Sequence, residues 1–307
     1  MSREARNTCR IIRNEQIADD IFELIIDAPD ISGAAMPGQF INIYLPGGAM
    51  LLPRPISIAD ADKTTGEVSL IYAIVGEGTR ALSLIPPGDG SNSSIQSANF
   101  IDVLGPLGTG FLDYSDEIKV NKVILIGGGV GIPPLLFAAK KLRETLGTCI
   151  EIKAILGYRE TPWLENHFAG ICDSVGTISE NPLVQNQTSQ QSSGNVIDLL
   201  NTLSDEICTQ DELLNKSQTL ALSCGPKPML AAVSVWCEQN KIALRVSLEE
   251  RMGCGYGACA GCTTKTRQLN DPDKPQVGPS KAAGDDGIIK KKVCVHGPVF
   301  WADEVVW

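Results

Sequence analysis

The chain has little histidine, no excess of positive charge and no unbroken apolar run. Of its 307 residues only His167 and His296 are histidines, so neither catalysis nor metal binding rests on clustered imidazoles. The formal charge of −10, with no basic stripe interleaved with aromatic residues, argues against a nucleic-acid partner. The one long apolar stretch, 123–139, is interrupted by Gly127, Gly128, Gly129, Gly131, Pro133 and Pro134. It does not read as a membrane span. The N-terminus has charges but no apolar segment behind them, so a secretory signal is not expected and a cytoplasmic location is. In a reducing compartment the three N-x-S/T sites at Asn92, Asn186 and Asn215 carry no meaning.

Cysteine, in contrast, is plentiful. Ten cysteines in such a chain point to metals rather than disulfides. Cys9, Cys149, Cys172, Cys208, Cys224 and Cys237 are scattered and read by default as small buried hydrophobes. Cys254, Cys259, Cys262 and Cys294 follow C-x4-C-x2-C with a distant fourth member, the plant-type spacing for a [2Fe–2S] cluster. Gly255, Gly257 and Gly261 let the backbone wrap an inorganic core and turn N–H groups towards its sulfurs. A structural zinc site is the alternative. His296 lies two residues beyond the fourth thiol, but four thiolates already satisfy a cluster. His167 reads as a surface or satisfied side chain.

The length suggests two domains or three. Up to about residue 112, short strands follow at close spacing: 17–28 (IADDIFELIIDA), 39–45 (QFINIYL), 56–59 and 67–75 (EVSLIYAIV). Gly and Pro punctuate them, which predicts a small β-barrel or sandwich. Residues 91–99 are polar and read as a surface loop. From Lys122 the pattern becomes βαβα: an apolar strand at 123–126, a helix at 133–146, strands at 150–156 and 219–223, and a helix at 227–240. That alternation predicts a doubly wound parallel sheet. The stretches 185–195 and 270–286 read as exposed loops. The expected domains are 1–114, 115–246 and 247–307.

Gly127-Gly128-Gly129-Val130-Gly131 lies between a strand and a helix. A dinucleotide pyrophosphate could approach its backbone and meet the helix N-terminus; a purely structural turn is the other reading. Cys224-Gly225-Pro226 ends a later strand, where it either faces a nicotinamide or merely packs before a turn. Arg54-Pro55-Ile56-Ser57 places an arginine suited to a phosphate beside a serine suited to a flavin edge. Ile71-Tyr72-Ala73 and then Gly78-Thr79 follow, the latter in a second glycine turn. Arg159 and Glu160 follow the second sheet strand and leave NAD against NADP open.

The order of these pieces resembles the ferredoxin–NADP reductase superfamily. Within it the chain is similar to the electron-transfer subunits of NAD-dependent, type B dihydroorotate dehydrogenases. The resemblance spans nearly the whole length. It rests on RPIS (54–57), GEGT (76–79), VLGPLGTGF (103–111), GGGVGIPPL (127–135), CGPKPML (224–230), SLEERMGCGYGACAGC (247–262) and VCVHGPVF (293–300). The last two are the specific ones. It implies a flavin-binding antiparallel barrel, an NAD-binding parallel α/β domain and a small C-terminal [2Fe–2S] module. FAD would meet Arg54, Pro55, Ile56, Ser57, Ile71, Tyr72, Ala73, Gly78 and Thr79. NAD is expected at Gly127, Gly128, Gly129, Gly131, Cys224, Gly225 and Pro226, and the cluster on the four cysteines. Ala73 stands where related chains often carry a basic residue.

The implied reaction begins in an FMN-containing catalytic subunit, two copies of which would assemble with two of this chain. That subunit oxidises dihydroorotate in pyrimidine biosynthesis. Electrons then pass through the cluster and FAD to NAD+, and no side chain here serves as a general base. The same fold also feeds sulfide dehydrogenases, bifurcating transhydrogenases and hydrogenases. Some of those carry aspartate at the first cluster position, so Cys254 favours the dihydroorotate partner. A zinc-stabilised binding module without redox activity is the reading from another class.

Overall fold

The computed structural model describes residues 6–46, 50–87, 99–112, 120–181, 193–204, 219–267 and 287–307. Six antiparallel strands close the N-terminal barrel in the order β1-β2-β5-β4-β3-β6. They are β1 (Asn7–Ala18), β2 (Ile21–Asp27), β3 (Phe40–Tyr44), β4 (Arg54–Asp62), β5 (Glu67–Ala73) and β6 (Phe100–Leu107). Two-residue alternation fills the interior: Leu24 and Ile26 from β2, Ile41 and Ile43 from β3, Val68, Leu70 and Tyr72 from β5. The stretch 17–28, expected as one strand, is two. Asp20 takes a left-handed φ of 56°, and the chain reverses there.

The second layer is a six-stranded sheet in the order β14-β11-β10-β7-β8-β9. Its strands are β7 (Lys122–Gly128), β8 (Glu151–Tyr158), β9 (Ser174–Ser179), β10 (Thr219–Cys224), β11 (Ala243–Ser247) and β14 (Val299–Trp301). All pairings are parallel except β11 with β14. β7 is buried at every position, as befits a central parallel strand. Helix α3 (Ile132–Leu146) packs between this sheet and β4 of the barrel. Its Phe137 joins the barrel core, and Lys140 pairs with Asp60 on β4. Helix α6 (Lys227–Asn240) lies against β10 and β11 on the sheet's other face.

Strands β12 (Thr263–Arg267) and β13 (Ile288–Lys292) form a separate antiparallel pair. Cys262 immediately precedes β12, and Cys294 lies in the one-turn helix α7 (Val293–His296) directly after β13. Beyond α7 the chain returns to the large sheet as β14, so residues 299–301 of the expected cluster module pair with β11. One apolar core joins all three regions: Phe40 and Leu104 of the barrel, Val246 of the sheet, and Cys262, Val293 and Cys294. The default reading of the scattered cysteines holds for Cys9, Cys224 and Cys237, which are buried. It fails at Cys149, which is exposed in the turn after α3, while Cys172 is only partly buried. Cys208, the three N-x-S/T asparagines and the loop 270–286 lie outside the described residues, as do most of 91–99 and 185–195. No described helix is long and apolar enough to cross a membrane.

Candidate functional site

β7 and β10 are neighbours in register, Gly127 opposite Cys224. This pairing brings the two glycine segments together at the carboxyl edge of the sheet, where α/β sheets take ligands. A Cβ on Gly131 would overlap the Cys224 carbonyl, and one on Gly128 would lie 3.3 Å from Pro226 and against Met229. Gly129 has a φ of +54° with open space around its Cα, so backbone conformation requires glycine there. One expected feature is missing. The Ile132 N–H at the start of α3 already donates to the Gly129 carbonyl, and Pro133 and Pro134 have no N–H to offer. A pyrophosphate would therefore depend on the loop's own backbone rather than on the helix N-terminus.

Cys224 is buried at the strand end. Burial raises its thiol to about 12, against a smaller opposing hydrogen bond from Ser247, a neighbour on β11. It is a neutral, apolar wall at any ordinary pH. Arg159 and Glu160 are exposed just past β8.

The barrel residues fall on β4, β5 and the helix α2 (Glu77–Ser83). The second glycine turn is thus the start of a helix. Thr79 Oγ1 accepts the Val75 N–H at 2.9 Å and the Gly76 N–H at 3.3 Å, which ties that start down. The Arg54 guanidinium lies directly on Gly78, where any Cβ would overlap it. Its Nη2 reaches only Met50 Sδ, at 3.3 Å, and its buried Nε meets no acceptor among the described residues. A half-buried cationic fork beside a helix start, with no carboxylate paired to it among the described residues, suits a bound phosphate. Pro55, Ile56 and Ser57 continue along β4, with Ser57 in register with Phe40 on β3. On β5, Tyr72 points into the barrel, where its hydroxyl donates to Asn14 Oδ1 at 3.0 Å and burial holds its pKa far above the usual phenol value. Only its backbone can meet a ligand outside the barrel. Ile71 and Ala73 have the opposite orientation, since side chains alternate along a strand.

The cysteine loop, 249–262, contains no helix or strand. Its thiols form two pairs. The Cys259 N–H donates to Cys254 Sγ at 3.3 Å, and these two side chains also interact. Cys262 is hydrogen-bonded to Cys294 through their side chains. Burial disfavours the Cys254 thiolate, but N–H groups of Cys259, Tyr256 and Ala258 outweigh it and bring the thiol down to about 7. Cys294 is pushed up to about 12 by burial and then by the neighbouring Cys262. Among the described residues, no three His, Cys, Asp or Glu side chains converge as they would around one metal ion. A dinuclear core takes two ligands on each iron, so paired thiols fit it better than a tetrahedral zinc. Gly255 and Gly257 have φ of +74° and +89°, conformations that carry the loop around such a core. His296 accepts the Lys292 N–H through Nδ1 at 3.0 Å and is not needed as a ligand. His167 is exposed.

Sequence reading missed Asn42, Met229, Ser247 and Lys292. Asn42 Nδ2 donates to the Cys254 carbonyl at 2.9 Å, and Lys292 Nζ donates to the Gly257 carbonyl. Only Asn42 left a trace, as a lone polar residue in an otherwise apolar strand, FINIY.

Residues 249–276 match the family described as the iron-sulfur cluster binding domain of dihydroorotate dehydrogenase B. Curated relatives match over almost their whole length. The electron transfer subunit of dihydroorotate dehydrogenase B (NAD(+)) from Caldanaerobacter subterraneus is 30% identical over 97% of this chain and 97% of its own. The same subunit from Listeria monocytogenes is 33% identical over 96% and 97%. That from Streptococcus pneumoniae is 32% identical over 97% and 98%. Among solved structures, an NADH-dependent reduced ferredoxin-NADP oxidoreductase studied for flavin-based electron bifurcation superposes with a TM-score of 0.73. It is 26% identical and is matched over 100% of this chain and 92% of its own. Ferredoxin-NADP+ reductase from Plasmodium falciparum shares the fold at a TM-score of 0.57 and 15% identity, over 80% and 96%. With such identity over nearly full length, the chain belongs to the family of electron transfer subunits of dihydroorotate dehydrogenase B (NAD(+)).

Proposed function

We propose that this chain carries electrons from a dihydroorotate-oxidising catalytic subunit to NAD+, using a [2Fe–2S] cluster on Cys254, Cys259, Cys262 and Cys294 and FAD on the barrel. When bound, FAD supplies the exchange between one-electron transfer and two-electron hydride chemistry. The chain's own residues position and shield. Arg54 with Gly78 and Thr79 holds the flavin phosphates, while Pro55, Ile56, Ser57 and the 71–73 backbone line its ring side. Gly127, Gly128, Gly129 and Gly131 with Cys224, Gly225 and Pro226 receive the nicotinamide dinucleotide. Cys224 stays protonated and excludes water without trading protons. No general base is required.

The observation that carries this reading is the shared core. Cys262 and Cys294 share one apolar core with Phe40 of β3, and β3 pairs with β4, the strand that bears Arg54 and Ser57. A cluster and a flavin so placed are joined by one rigid scaffold. The boundaries proposed are 1–114, 115–246 and 247–307, with the last segment returning β14 to the sheet. We place the protein in the cytoplasm, in a heterotetramer of two such chains with two FMN-containing catalytic subunits. A bifurcating ferredoxin-NADP oxidoreductase partner is the second reading, favoured only by the fold likeness at 26% identity.

The test is reconstitution of the purified chain with FAD, iron and sulfide. It should then oxidise NADH with dye acceptors yet leave dihydroorotate untouched until the catalytic subunit is added. Zinc in place of iron, or dihydroorotate oxidation by the chain alone, contradicts the reading.

A further inference from the structure

Asn42 is wholly buried in β3, a strand whose other residues are apolar or aromatic. Ile41 and Ile43 face the barrel interior, so by strand alternation Asn42 faces outward with Phe40 and Tyr44, towards the cysteine loop. There its Nδ2 donates to the Cys254 carbonyl, 2.9 Å away across 212 positions of chain. Its Oδ1 is buried and accepts no hydrogen bond among the described residues. A buried amide satisfied on one side only is costly, and a leucine there would pack without that cost. Gly255 closes the contact: at a φ of +74° its Cα rests on the Asn42 amide, and any side chain at 255 would overlap it. The barrel therefore grips the loop at one carbonyl, and that carbonyl belongs to the first cysteine of the motif.

The other face of this grip is the flavin strand. Asn42 stands opposite Pro55 on β4, and its neighbours Ile43 and Phe40 stand opposite Arg54 and Ser57. We propose that Asn42 is a positioning residue that seats the Cys254 side of the cluster on the flavin-bearing barrel and so sets the spacing for electron passage between them. The inference rests on the assignment of the cluster and FAD made above. Lys292 holds the same loop through Gly257, but it is anchored in β13, which among the described residues pairs with β12 and not with a barrel strand. The two contacts therefore make different predictions: loss of either loosens the loop, but only loss of Asn42 uncouples it from the flavin.

The test compares the reconstituted full-length chain with Asn42→Leu, close to asparagine in shape, and Asn42→Ala, both without the N–H donor. Flavin content and NADH oxidation with a flavin-directed dye should match the parent, which reports correct folding. Iron release to a chelator should quicken by roughly 10–100-fold, the usual effect of losing a group that supports a metal ligand. Reduction of the cluster by NADH, followed by its electron paramagnetic resonance signal, should slow by a comparable factor. Parent-like cluster retention and reduction rate in both variants would overturn the inference while leaving the cluster assignment intact. A parent chain that takes up no iron and sulfide would overturn both.

Discussion

The sheet edge and the cysteine loop both gather distant residues into one place, but by different means. At the sheet edge, Gly127 and Cys224 are set opposite each other by a parallel ladder running from Thr219 with Lys122 to Cys224 with Gly127. Many backbone hydrogen bonds share that task, and no single side chain decides it. The cysteine loop has no ladder. Besides its thiol pairs, it is held by individual bonds to its carbonyls, from Asn42 to Cys254, from Lys292 to Gly257 and from the Val293 N–H to Cys262, and by the Lys227–Glu250 ion pair. Geometry spread over a ladder should degrade by degrees, whereas geometry resting on a few contacts and a bound core should fail as a unit.

The largest effect should come from the loop. Cys262→Ser is expected to cost roughly a hundredfold or more of dihydroorotate-dependent NAD+ reduction in the complex, with iron lost, while NADH–dye activity stays. Equal loss of both activities would show that the loop and the sheet edge are not separable. Next is Gly131→Ala at the sheet edge, where the new methyl overlaps the Cys224 carbonyl. Overpacking costs about 1–3 kcal/mol of folding stability, and the displaced sheet edge should in addition lower kcat/KM for NADH by about tenfold, about 1.4 kcal/mol of transition-state binding, with the cluster spectrum unchanged. Arg54→Gln should weaken FAD by about tenfold, since a charge-assisted contact contributes about 1.5–3 kcal/mol and part survives through the amide. Flavin titration of the stripped protein measures it.

The smallest effect is on stability against pH. Burial raises Cys9 to about 11 and Cys224 to about 12, each above the ordinary thiol value of 9.0. Raised acids favour the folded state while protonated in both states, so their contribution is whole below pH 9 and drains away as pH rises through 11 and 12. Thermal melting should therefore drop on the alkaline side, and Cys9→Ala should flatten that drop. A melting curve no flatter than the parent's would remove Cys9 as a cause.

The two regions were also unequally readable before the fold was known. The cysteine spacing, the glycine run and RPIS are local signals, legible without any knowledge of the fold. Strand spacing narrowed the first domain to a barrel or sandwich, and βαβα alternation gave the parallel sheet. What escaped depends on pairing between remote segments. Val299–Trp301 is three residues long in a stretch read as cluster module, and only β11 makes it a strand. Asp19 and Asp20 hide a strand break inside an apparently continuous run. Pro133 and Pro134 looked like an ordinary helix start, but with the Ile132 N–H already engaged they strip it of donors. Asn42 has no motif around it at all; its role appears only when Cys254 arrives from the far end of the chain.

The central claim is that electrons from dihydroorotate reach NAD+ through this chain only by way of the thiol-held cluster. The most direct measurement is NAD+ reduction by dihydroorotate in the complex of the catalytic subunit with either the parent chain or Cys254→Ser, beside NADH–dye activity of each. The account predicts activity with the parent, none with Cys254→Ser, and equal dye reduction by both. Parent-like dihydroorotate-dependent activity in the Cys254→Ser complex, with its iron gone, would contradict it.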